Sequence, residues 1–177
     1  MSKYWSLTVS IGLLGGIDTY LTATLLPIPV WVTFIAWASF FACGGGSAGF
    51  IKSVLSNWTG IVIASLALLG IGAFGGSPLA AAICVGTGSA CMILMTRFQI
   101  TSFPPAIVFG FASTVGTVAA TGHSMTVISP HHPTLIAAAA MLVGASFGYV
   151  SEALTEFLTK KSIPAVQAML GATEGTN

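Results

Sequence analysis

The chain has 177 residues, 55% of them hydrophobic and 5% charged, with a mean hydropathy of +0.95. Soluble domains carry about 25% charged residues to cover their surface, so a water-soluble fold is excluded and an all-α polytopic membrane protein is expected. A net charge of +1 without any basic run excludes nucleic acid as a partner.

The first helix is expected over about 5–26. It follows a lone Lys3 with no small-residue cleavage site behind a short apolar core, so it reads as a retained membrane helix. Gly12 and Gly16 form a GxxxG pair suited to close packing. Asp18 is the only acid well inside an apolar segment, where its charge costs at least ~3 kcal/mol on insertion scales. Gly15, Thr19 and Thr22 share its face. Two readings stay open for Asp18: a functional carboxylate, or a helix–helix hydrogen bond to a hydroxyl.

Leu26-Pro27-Ile28-Pro29 turns the chain into a second helix, about 29–43, which carries Thr33, Phe34, Trp37, Ser39, Phe40 and Phe41. Gly44-Gly45-Gly46-Ser47 then breaks it. The piece 48–56, with Lys52, is expected as a short interfacial helix, and a third membrane helix follows over about 57–74. Gly75-Gly76-Ser77-Pro78 is a tight turn. The fourth helix covers about 79–96, and Arg97 to Ser102 is a link.

The fifth helix, about 103–122, organises the chain: FPPAIVFGFASTVGTVAATG. It is uncharged and has the roughly 20 residues that a ~30 Å hydrocarbon core requires. Pro104 and Pro105 fall in its first turn, where proline costs no hydrogen bond. Ala112, Gly116 and Ala120 form one stripe, expected to meet another helix closely. Ser113, Thr117 and Thr121 form the next stripe, beside Thr114. The segment echoes Leu26–Gly44: Pro27 matches Pro104, Phe34 matches Phe111 and Ala42 matches Ala119, each 77 residues on. A polar loop, His123 to Pro133, leads to a sixth helix over about 134–157. Residues 1–161 are thus one transmembrane domain, and 162–177 a cytoplasmic tail.

All five basic residues, Lys3, Lys52, Arg97, Lys160 and Lys161, fall on one side of a six-helix arrangement. By the positive-inside rule both termini are cytoplasmic. Cutting after Gly76 leaves two halves of three helices, and an odd number of crossings inverts the second half. Inverted repeats are common in transporters, with the solute site at the repeat interface.

Other polar groups carry weaker signals. Glu152, Glu156 and Lys160 share a face near the end of the sixth helix, as an interfacial charged end or a cytoplasmic vestibule with Ser146 and Tyr149. His123, His131 and His132 sit near Met125 in a spacing that fits no metal motif. Cys43, Cys84 and Cys91 lie in apolar segments and form no disulfide or metal pattern. Trp5, Trp31 and Trp58 lie near helix ends, as interfacial anchors do. No catalytic set, metal box or phosphate loop can be assembled, so neither an enzyme nor a cofactor is expected.

Two runs, FFACGGGSAGF (Phe40 to Phe50) and TSFPPAIVFGFASTVG (Thr101 to Gly116), resemble the YcdZ-like group of small bacterial inner-membrane proteins, whose domain is of unknown function. The likeness spans most of residues 7–158. Gly44 stands where that group usually has proline, and Pro105 where it has glycine. The resemblance implies a bacterial inner membrane and carries over no catalytic residue. The proline-opened helices in duplicated halves bear a weaker similarity to urea-type channels.

These features lead to the expectation of a channel or facilitator for a small, mostly neutral polar solute, urea-like or a short amide or acid. Its path would run along Asp18, Thr22, Thr33, Ser39, Ser113, Thr114 and Thr117, with Phe34, Trp37 and Pro104 narrowing it. The partners would be the lipid bilayer, the solute and further copies of the chain, as a trimer. The alternatives are a proton-coupled transporter using Asp18, and a non-transporting scaffold.

Overall fold

The computed structural model describes residues 2–126 and 129–174, with side chains described as far as Lys160. The described residues fold into α1 (Lys3–Thr24), α2 (Val30–Ala42), α3 (Gly46–Ala73), α4 (Pro78–Met95), a 3-10 turn (Gln99–Thr101), α5 (Pro104–Thr121) and α6 (Pro133–Glu174), with no strand. Helix boundaries follow local chemistry. Ser77 Oγ accepts from the Ala80 amide at 3.2 Å and Pro78 occupies the first turn of α4. Pro104 and Pro105 open α5, and Gly122, at φ 67°, closes it in the left-handed region.

Four helices, α3, α4, α5 and the Pro133–Lys160 part of α6, are long and apolar enough to cross a membrane. The chain is a membrane protein. The other two helices differ from this pattern for separate reasons. α1 has 22 residues, but hydroxyl groups and Asp18 interrupt its apolar run. α2 has 13 residues, about 20 Å at 1.5 Å per residue, shorter than a ~30 Å core.

Three expected boundaries change. The interfacial piece at 48–56 and the third helix are one 28-residue helix, because nothing between Ser47 and Asn57 blocks helical hydrogen bonding and Gly49 packs against the Cys43 carbonyl. The backbone of α6 continues through Lys160 to Glu174, so most of the expected tail is helical, and 175–177 lie outside the described residues. The link before α5 contains the 3-10 turn, capped by Thr101 Oγ1 donating to the Met95 carbonyl at 2.6 Å.

The chain halves exchange their third helices. α3 packs most extensively on α5 and then on α4, whereas α6 packs most extensively on α2 and then on α1. Two groups result, α1–α2–α6 and α3–α4–α5, meeting chiefly where α3 lies against α6. Glycine makes the closest approaches within each group. A Cβ on Gly60 would fall on the Ile107 carbonyl, and one on Gly110 on the Asn57 carbonyl, so the α3 and α5 backbones touch. A Cβ on Gly144 would likewise fall on the Thr33 carbonyl, where α6 meets α2. Small residues at helix crossings permit this approach when lipid supplies no hydrophobic drive.

The expected close-packing stripe on α5 lies otherwise. Ala112 and Ala120 face outward, and only Gly116 is covered, by the Trp31 ring. The neighbouring stripe takes the interior: Ser113 and Thr117 are fully buried and Thr121 is exposed. Gly12 and Gly16 also face outward with nothing near them.

Candidate functional site: a buried polar seam

Beside its apolar core clusters, the interior of this bundle holds a set of fully buried polar residues. Asp18, Thr33, Ser39, Ser53, Ser56, Asn57, Ser113, Thr114 and Thr117 are all at 0% exposure. Burying unpaired polar groups in a membrane protein is costly, so such groups mark function or specific pairing.

At one end Asp18 of α1 meets the first turns of α2. Its Oδ2 accepts from Thr33 Oγ1 at 2.5 Å, and the same hydroxyl lies 2.7 Å from the Val30 carbonyl. Asp18 Oδ1 has no partner among the described residues. Thr22 donates to the Asp18 carbonyl at 2.8 Å and is half-buried. Phe34, near Gly15 of α1, is 43% exposed.

In the middle, α2 and α3 share a hydroxyl–amide ring. Ser53 Oγ donates to Ser39 Oγ at 2.8 Å, Ser39 Oγ to Asn57 Oδ1 at 3.3 Å, and Asn57 Nδ2 to Ser53 Oγ at 3.3 Å. Across from α2, Trp37 Nε1 donates to Ser151 Oγ at 3.0 Å, and Ser10 Oγ donates to the Ser151 carbonyl at 2.8 Å. Trp37 is 4% exposed and stacks at 5.8 Å on both Phe34 and Phe147.

On α5, Thr114 and Thr117 bond back to the Gly110 and Ser113 carbonyls. That local bond leaves their methyl groups to pack. Ser113 Oγ and Ser56 Oγ, like Asp18 Oδ1, lack partners among the described residues.

The structure therefore buries seven of the ten expected path residues: Asp18, Thr33, Ser39, Trp37, Ser113, Thr114 and Thr117. Thr22 stands at the margin, and Phe34 and Pro104 face outward. Sequence reasoning missed Ser53, Ser56 and Asn57. Their spacing on one helix face was available, but a helix start placed at Asn57 divided it.

The charged end resolves differently from a vestibule. Glu152 Oε2 accepts from the Gly46 amide at 2.6 Å, at the first residue of α3. Gly44, Gly45 and Gly46 have φ of 102°, 69° and 61°, and a Cβ on Gly45 would strike the Glu152 carboxylate. The glycine run thus forms a left-handed turn that admits the carboxylate to the helix N-terminus, where anions are favoured. Glu156 pairs with Lys160 at 3.8 Å, both exposed, a contact worth little in solvent. In the polar loop, His123 Nδ1 lies 3.0 Å from the His131 carbonyl, and His132 Nε2 lies 3.2 Å from that of Met125. No cluster of three potential metal ligands occurs among the described residues.

Comparison with known proteins identifies a family. A family model described as DUF1097, protein of unknown function, matches residues 8–156. The chain belongs to the DUF1097 family. It is 36% identical over 83 residues to the uncharacterized protein YahC of Escherichia coli (strain K12), covering 42% of this chain. The match covers 48% of that protein, so the chain spans about half the length of the curated relative it matches. No solved structure matches.

Proposed function

We propose that this protein is a gated membrane facilitator for a small, mostly neutral polar solute, urea-like or a short amide or acid. The observation that carries the reading is the seam of fully buried hydroxyl, amide and carboxyl groups along α1, α2, α3 and α5. Three of its oxygens, on Asp18, Ser56 and Ser113, have no partner among the described residues. Such groups can replace a solute's hydration during passage. Each seam residue is sealed from water, so passage requires the two helix groups to part.

An inverted repeat is part of this proposal. Its halves would match α1 to α4, α2 to α5 and α3 to α6. Burial supports the first match: Ser6, Leu14 and Asp18 are buried in α1, and Ala80, Gly88 and Met92 lie 74 residues on in α4. The aromatic echo supports the second, since Phe34 lies against Gly15 of α1 and Phe111 against Gly88 of α4. Helix pairings keep their rank under this exchange. All six helices would belong to the membrane domain, with α2 within the bilayer. The basic residues would put both termini in the cytoplasm of a bacterial inner membrane, in line with the YcdZ-like resemblance. Outward-facing Gly12, Gly16 and Gly86 suit packing against further copies, here taken as a trimer.

A second reading, proton-coupled transport, is favoured by one observation: the unpartnered Oδ1 of Asp18. The first experiment is a flux panel in proteoliposomes over urea, short amides, short acids and water. Flux of one of these that Ser113→Val with Thr117→Val suppresses supports the facilitator. No flux of any solute by folded protein overturns both readings and brings the scaffold forward.

A further inference from the structure

Side-chain hydrogen bonds tie α3 to α6 near each end of their antiparallel pairing, and between them lie the Trp58 Nε1–Ala138 carbonyl bond at 3.2 Å and the Phe50–Tyr149 ring contact at 6.1 Å. Near the start of α3, the Glu152 carboxylate of α6 holds the Gly46 amide at 2.6 Å. Near the start of α6, Ser65 of α3 and Thr134 share a hydroxyl hydrogen bond of 2.8 Å. The positions correspond closely. Ser65 is 19 residues along α3 from Gly46, and Glu152 is 18 residues along α6 from Thr134. At 1.5 Å per residue the two contacts stand about 28 Å apart, close to the thickness of a hydrocarbon core.

The buried polar groups of α3 lie between them. Ser53, Ser56 and Asn57 are 7 to 11 residues from Gly46 and 8 to 12 from Ser65. Both contacts also cross from one helix group to the other, because α6 belongs with α1 and α2, and α3 with α4 and α5. The tightest glycine crossings, by contrast, lie within the groups.

We infer that Glu152–Gly46 and Ser65–Thr134 are two gates, one on each side of the seam, released separately to admit solute from one face at a time. The inference rests on the transport reading for its purpose, and on geometry for its mechanics. The gates differ in chemistry. Glu152 presents a carboxylate to a helix N-terminus, a charge-assisted contact, whereas the Ser65–Thr134 gate is neutral. The Glu152 contact is therefore the stronger single bond, while the neutral Trp58–Ala138 bond backs the Ser65–Thr134 gate from within the helix pair.

The test uses full-length protein with Cys43, Cys84 and Cys91 changed to alanine and one reporter, Ser56→Cys. Ser56 Oγ has no hydrogen bond to lose. A membrane-impermeant thiosulfonate is applied from either face of oriented vesicles. Glu152→Ala should speed labelling from the Gly46 face about tenfold, the scale of one lost charge-assisted hydrogen bond, and leave the opposite face unchanged. Ser65→Ala with Thr134→Val should do the reverse, by a smaller factor. Should Glu152→Ala lose its folded size-exclusion peak, Glu152→Gln, which keeps an acceptor oxygen, is read instead and should show the same one-sided rise, reduced. Unchanged rates, or rates raised equally from both faces, overturn the gates. Labelling needs no solute, so flux without one-sided labelling removes the gates and leaves the transport reading. One-sided labelling without flux keeps the gates and removes that reading.

Discussion

The Thr33 hydroxyl lies 2.5 Å from Asp18 Oδ2 and 2.7 Å from the Val30 carbonyl, so one proton faces two acceptors. Thr33→Val removes the hydrogen bond to a fully buried carboxyl group. The expected cost is about 1–3 kcal/mol, the range for a buried polar group left unmade, read as a lower Tm in detergent. In a double-mutant cycle with Asp18→Ala the two costs should fall well short of additive. Strict additivity would show that the contact contributes nothing.

Asp18→Asn separates the facilitator from the coupled transporter. The change keeps size and hydrogen-bonding capacity but removes titration. Downhill solute flux should survive it and gain no new pH dependence. Uphill uptake driven by a pH gradient in the wild type, lost in Asp18→Asn, would instead establish coupling.

Glycine substitutions should sort by what they meet. Gly60→Ala and Gly110→Ala drive a methyl group into a neighbouring carbonyl and should each cost at least about 1–3 kcal/mol, as overpacking does. Gly12→Ala and Gly86→Ala meet open space and should stay within about 0.5 kcal/mol in monomer stability. Gly116→Leu meets the Trp31 ring tip, and removing that ring with Trp31→Ala should relieve most of its cost. Thermal melts of the set would expose any reversal of this order.

Topology gives a further check. In intact cells, Ser129→Cys in the polar loop should react with an impermeant thiol reagent, and Ser2→Cys should react only after the membrane is breached. The opposite pattern would invert the protein, and protection of Ser129→Cys alone would remove the six-crossing arrangement.

Composition made the all-helical membrane class legible, and proline made the starts of α4 and α5 legible to within a residue or two. These signals are local. The continuity of α3 was hidden because Lys52 near a glycine run reads as an interface, whereas the helix carries Lys52 half-buried within its length. Of the α5 hydroxyl stripe, Ser113 and Thr117 take the interior and Thr121 does not, and of the glycine–alanine stripe beside it only Gly116 is covered. Helical periodicity separates faces without saying which one another helix covers. Glu152 and Gly46 lie 106 residues apart in sequence. Only the fold unites them, so a glycine turn that admits a distant carboxylate left no trace in spacing.

The exchange of third helices bears on how the protein is made. A ribosome that has delivered α1, α2 and α3 has completed neither packed group: α2 still lacks α6, and α3 lacks both α4 and α5. Until the later helices arrive, the Asn57 main chain of α3 lacks its cover from Gly110 of α5, and the Thr33 main chain of α2 lacks its cover from Gly144 of α6. Synthesis cut at the Gly75-Gly76 turn would give two fragments, each unstable alone, and their joint expression should restore what neither achieves. The N-terminal fragment thus depends for its survival on the speed with which the C-terminal one arrives.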